Sequence, residues 1–75
     1  MKLLPELPAG SKGEIKDFDS ELNKEFIYDI MDHGVVPGIS IVMIDNSPES
    51  DKVIFSIGST LISLRKKDAR YISIT

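Results

Sequence analysis

Residues 34–44 read Gly34-Val35-Val36-Pro37-Gly38-Ile39-Ser40-Ile41-Val42-Met43-Ile44. Three structural instructions follow one another in this run. Gly34 is placed to end a helix as the residue that takes a left-handed conformation. Pro37 pre-sets φ near −65° and Gly38 supplies the positive φ that completes a turn. From Ile39 the chain is dense in β-branched residues and reads as a strand to Ile44. The run therefore joins a helix to a sheet through a tight corner.

Upstream, the helical pattern runs from about Ser20 to His33. Asp19 or Ser20 serves as N-cap, because a short side-chain oxygen can accept from a free N–H of the first turn. Glu21 sits in that turn, where negative charge favours the helix dipole. Leu22, Phe26 and Ile30 recur every four residues, and Ile27 and Met31 lie beside them in one apolar stripe. Before the helix, Ser11–Phe18 alternates weakly and reads as a first strand. Downstream, Lys52–Ile57 places Val53, Phe55 and Ile57 on one face. Thr60–Leu64 places Ile62 and Leu64 on one face after a tight Gly58-Ser59 turn. Tyr71–Thr75 alternates cleanly, and Lys66–Ala69 suits a single helical turn before it. The expected fold is mainly β with one main helix. It is a single domain over residues 1–75, a small barrel of about five strands rolled up to remove its edges, with the helix between the first and second strands. The C-terminal strand should return to pair near the first.

Composition bounds the function. The chain has 75 residues, 9 basic against 12 acidic, a net charge of −3 and no cysteine. Scaling laws give a folded surface of about 4,600 Å², roughly 60% of the unfolded surface being buried. Net acidity argues against nucleic-acid binding, which needs a basic surface. No disulfide, thiolate metal site or thiol nucleophile is available. The apolar start of Met1-Lys2-Leu3-Leu4-Pro5-Glu6-Leu7-Pro8 is broken by two prolines and a glutamate, which is not a secretory signal. No apolar stretch approaches the roughly 20 residues of a membrane span, so the expected location is cytoplasmic. There is no nucleophile elbow and no phosphate-binding glycine loop, so no enzyme is expected.

The ordered set of signals resembles the FeoA family, the small cytosolic ferrous iron transport protein A. The resemblance is carried by Leu4, Leu7, Gly10 and Gly13-Glu14-Ile15, then the helix ending at Gly34, then Pro37-Gly38-Ile39-Ser40-Ile41. It continues through Ser47-Pro48, the Val53–Ile57 strand, Ile62-Ser63-Leu64-Arg65, Lys67-Asp68-Ala69 and Ile72-Ser73-Ile74. His33 departs from it, since the family usually has an apolar residue before the helix-ending glycine. The resemblance implies an SH3-like β-barrel with a helical insertion. It also implies an accessory or regulatory role beside FeoB, a membrane-embedded ferrous iron transporter with a cytosolic nucleotide-binding domain. The expected function is thus a non-enzymatic adaptor, a monomer or weak homo-oligomer, recruited to the inner face of the membrane by that transporter without inserting into it.

Three residue sets are candidates for sites, each with a plainer alternative. Val35, Val36, Pro37 and Gly38 form a corner that either serves the chain reversal alone or docks on a partner through its valines. Arg65, Lys66 and Lys67, with Arg70 after them, are the one positive concentration. They either contact an acidic partner surface or lipid headgroups, or form a solvated turn. Asp29 and His33, four apart on the helix, offer carboxylate and imidazole to Fe(II) or another divalent transition metal. The plainer reading is that His33 favours the helix C-terminal dipole. No cofactor is required by the adaptor reading. The rival is a small metal-sensing module that shares Asp29 and His33 across a homodimer. The acidic residues Asp45, Glu49 and Asp51 match no calcium loop and read as a solvated loop.

Overall fold

The computed structural model describes Lys2 to Thr75. Met1, the first residue of the stretch read for a leader, lies outside the described residues, as does the first position of the expected 1–75 domain. The elements in chain order are β1 (Lys2–Leu3), a 3-10 turn (Leu4–Glu6), β2 (Lys12–Phe18), α1 (Lys24–Asp32), β3 (Ser40–Asp45), β4 (Lys52–Ile57), β5 (Thr60–Arg65), α2 (Lys66–Ala69) and β6 (Ile72–Ile74). All pairings are antiparallel, and the strand order is β1-β6-β2-β3-β4-β5. As expected, β6 returns to pair with β2.

The sheet bends because β2 belongs to both of its halves. Lys12–Glu14 pair with β3, whereas Ile15–Phe18 pair with β6, and the register shifts between Ile15 and Asp17. A second shift separates Met43 from Asp45 against β4. Extra residues of this kind increase twist and bend the strand. The inner faces of both halves thereby meet around Leu4, Ile15, Ile41, Met43, Val53, Phe55 and Ile72, each 1% exposed or less. The total accessible surface is 4727 Å², close to the value expected of a compact chain of this length.

Four expectations need correction. There are six strands rather than about five, because Lys2–Leu3 pairs with β6; a two-residue strand has no period to read. The sheet is not closed into a barrel, because β1 and β5 end it without pairing to each other. Helix α1 starts at Lys24, not Ser20. Asn23 is the N-cap, its side chain accepting from the N–H groups of Glu25 and Phe26 at 2.8 and 3.2 Å. Asp19 instead accepts from Glu21 N–H in a preceding turn, so Glu21 lies outside the helix. Finally, β6 does not alternate in burial: Ile72, Ser73 and Ile74 are all buried, and Ser73 Oγ is satisfied by donating to Asp17 O at 3.2 Å.

Candidate functional site

The Gly34–Gly38 corner is built by backbone hydrogen bonds. Gly34 N–H donates to Met31 O at 3.0 Å and Val35 N–H to Ile30 O at 3.0 Å. This pair of bonds closes a helix through a residue of positive φ, here Gly34 at +101°. The motif carries an apolar contact from the residue after the glycine back to the last turn, and Val35 is accordingly 0% exposed. Its side chain belongs to the core, which corrects the reading of Val35 as half of an exposed docking pair. Val36 is half-buried, and Pro37 and Gly38 are exposed. Ile39 N–H donates to Val36 O at 3.1 Å, and Gly38 N–H donates to Ile15 O at 2.7 Å, which fastens the turn to β2.

Arg65, Lys66 and Lys67 line one open surface depression together with Asp51, and most of the run is engaged in local contacts. Arg65 Nε pairs with Asp68 Oδ2 at 3.1 Å, a surface pair three residues apart. Lys66 Nζ reaches across to donate to Ser47 O at 2.6 Å, while its N–H donates to Asp51 O at 2.7 Å. Arg70 lies over the Tyr71 ring, 4.9 Å from its centroid, and donates to the Tyr71 hydroxyl. Lys67 is exposed beside them. Two of the three charges at residues 65–67 thus serve local structure.

Asp29 and His33 meet through the helix backbone. His33 Nδ1 lies 2.8 Å from Asp29 O, and since a carbonyl only accepts, Nδ1 carries the proton. The contact caps a carbonyl of the last turn and does not involve the Asp29 carboxylate. Among the described residues no three His, Cys, Asp or Glu side chains are grouped to hold a metal ion.

Phe26, Asp29, Ile30 and His33 nevertheless share one helix face, and it looks onto β5. Between them and Leu61, Ile62, Ser63 and Leu64 lies an open groove of about 260 Å³. Its rim carries Leu61, 65% exposed. This surface was missed from sequence. The signal was present, because Leu61 is out of phase with Ile62 and Leu64 and so had to face solvent. The groove offers an apolar floor, with the Asp29 carboxylate and the His33 imidazole on one wall and the β5 strand on the other. Among the described residues no helix is long and apolar enough to cross a membrane.

The family model described as FeoA domain matches residues 2–75. Among solved structures, the chain is similar to the FeoA protein from Chlorobium tepidum, with a TM-score of 0.87 and 23% identity over 97% of this chain and 68% of that one. It is similar to iron(II) transport protein A from Clostridium thermocellum, with a TM-score of 0.84 and 30% identity over 97% of this chain and 44% of that one. A FeoA-like protein from Clostridium acetobutylicum aligns with a TM-score of 0.77 and 27% identity, over 100% of this chain and 88% of that one. No curated protein matches.

Proposed function

The chain belongs to the FeoA domain family, which is associated with ferrous iron transport, and from that premise we propose that it is a non-enzymatic adaptor that binds the cytosolic part of a FeoB-type ferrous iron transporter. The observation that carries the reading is the span of the family match, which runs through residues 2–75 and so through every described element. The surface supports it: an open groove and a free strand edge are features of recognition. The adaptor works in the cytoplasm. Docking biases the transporter toward one state to the extent that the adaptor binds that state more tightly.

The test is a titration of isotope-labelled protein with the transporter's cytosolic domain, nucleotide-free and with each guanine or adenine nucleotide, followed by amide NMR. A contiguous set of shifted amides supports the adaptor. Silence in every nucleotide state removes it. An anaerobic Fe(II) titration in parallel, saturating at near-stoichiometric metal and broadening Asp29 and His33, replaces it with the metal-sensor reading.

A further inference from the structure

The sheet ends in two unpaired strands, and they are unlike. β1 is two residues long, which by itself blunts an edge. β5 has six residues and pairs with β4 in unbroken register from Lys52↔Arg65 to Ile57↔Thr60. Its first five residues, Thr60-Leu61-Ile62-Ser63-Leu64, contain no charge and no proline. Bulges, prolines and charges are the usual means of keeping strangers off an edge, and this stretch has none of them.

The backbone groups that face outward can be identified. Gly58 has φ +58° and Ser59 has no positive φ, the arrangement of a two-residue turn with glycine first. Such a turn makes its flanking pair, Ile57↔Thr60, a hydrogen-bonded one. Alternation then gives Phe55↔Ile62 and Val53↔Leu64 the bonds to β4 and points the N–H and C=O of Leu61 and Ser63 away from it. The far side of the sheet agrees. Met43 donates to Ser11 O and accepts from Gly10 N–H, so Val42 bonds toward Ser56 on β4. Ser56, turned toward Val42, leaves its partner Leu61 unbonded.

The wall opposite this edge is acidic. Glu25, Asp29 and Asp32 are exposed on α1 against one lysine, Lys24, and of these three carboxylates Asp29 is the one that lines the groove, beside His33. The one ion pair among the described residues is Arg65–Asp68, so none of the three α1 carboxylates is matched by a cation there. Pairing β5 with β5 of a second copy would bring these two helices, like in charge, to the same interface. A strand of opposite charge meets no such penalty.

We propose that the β5 edge and the acidic wall of α1 together receive an extended partner segment by strand addition, the segment carrying apolar side chains in alternation with lysine or arginine. The added strand bonds to Leu61 and Ser63, lays apolar groups on Leu61 and Phe26, and brings its cation to Asp29. The inference rests on the adaptor reading for the existence of a partner, and on the groove for its chemistry.

The full chain is titrated with two acetylated, amidated octapeptides, one alternating valine and lysine and one alternating valine and glutamate. The lysine peptide should saturate, move the amides of Leu61, Ser63, Asp29 and His33, and protect the Leu61 and Ser63 amides from exchange. The glutamate peptide should bind roughly fivefold more weakly or less. Ser63→Pro, which removes an outward N–H, should lose the lysine peptide. Asp29→Asn should weaken it about threefold and tighten the glutamate peptide, narrowing the difference between the two. Equal binding of both peptides, absence of saturable binding, or shifts elsewhere would overturn the proposal. So would protection of Leu61 and Ser63 without peptide accompanied by slower diffusion at higher concentration, which indicates a second copy. Transporter-domain binding that leaves Leu61 and Ser63 unmoved removes this proposal and keeps the adaptor. Peptide binding at the edge with the transporter domain silent does the reverse.

Discussion

Asn46 shows how much one polar side chain holds. Its Nδ2 donates to Pro5 O at 2.8 Å and Leu7 O at 2.9 Å, both partly buried, and so fastens the N-terminal segment to the end of β3. From sequence the residue is one of a run of turn formers, Asp45-Asn46-Ser47-Pro48, and nothing local says that its partners lie about 40 residues away. Asn46→Ala leaves two carbonyls unsatisfied and should cost about 1–3 kcal/mol. Asn46→Asp has the same shape but faces those carbonyls with acceptor oxygens alone, so its loss should be at least as large. Urea unfolding checks both, as a lowered midpoint at unchanged slope. If the aspartate variant keeps wild-type stability, these two bonds do not hold the segment.

At the scale of elements, helix α1 is set by its two ends. Leu22 and Ile27 occupy the positions of an apolar staple around the Asn23 cap; Leu22 belongs to the core cluster and the half-buried Ile27 packs against it. Asn23→Ala should cost about 1 kcal/mol. Gly34→Ala places a Cβ at φ +101° and should cost about 1–2 kcal/mol from strain. Thermal unfolding measures both, and an alanine at residue 34 that leaves the transition in place would mean the helix ends another way. The same ends explain what sequence could and could not reveal. The closing glycine was legible, because one residue type serves that geometry. The start was not, because Asp19, Ser20 and Asn23 can all cap, and the choice falls to where Leu22 must sit. Strand β4 was legible to the residue, since its apolar residues alternate against one core face. Val35 was not, because burial of the residue after the glycine comes from the closing motif and not from any period. The groove required a helix face and a strand edge to be brought together, which no local pattern states.

The whole molecule is a curled sheet with two ends, and its behaviour should depend on which strand is disturbed. A domain of this length has roughly 4–11 kcal/mol of stability, so a ladder bond lost from the interior is a large fraction of it. Ser56 and Ser63 form the contrast. Both are serines on strands of the same hairpin and both lie on the outer face, but β4 is flanked by β3 and β5 while β5 is flanked on one side only. Ser56→Pro removes an N–H directed at Val42 and leaves its carbonyl partner unpaired, at a cost of about 1–3 kcal/mol before any steric clash is added. Ser63→Pro removes an N–H directed at solvent, and proline is tolerated at such edge positions; its cost should stay within about 1 kcal/mol. Parallel denaturant titrations measure the difference. Equal losses would mean that the Ser63 amide already has a partner in the folded chain. The β5 edge would then be closed, and the acidic wall of α1 would have no strand to receive.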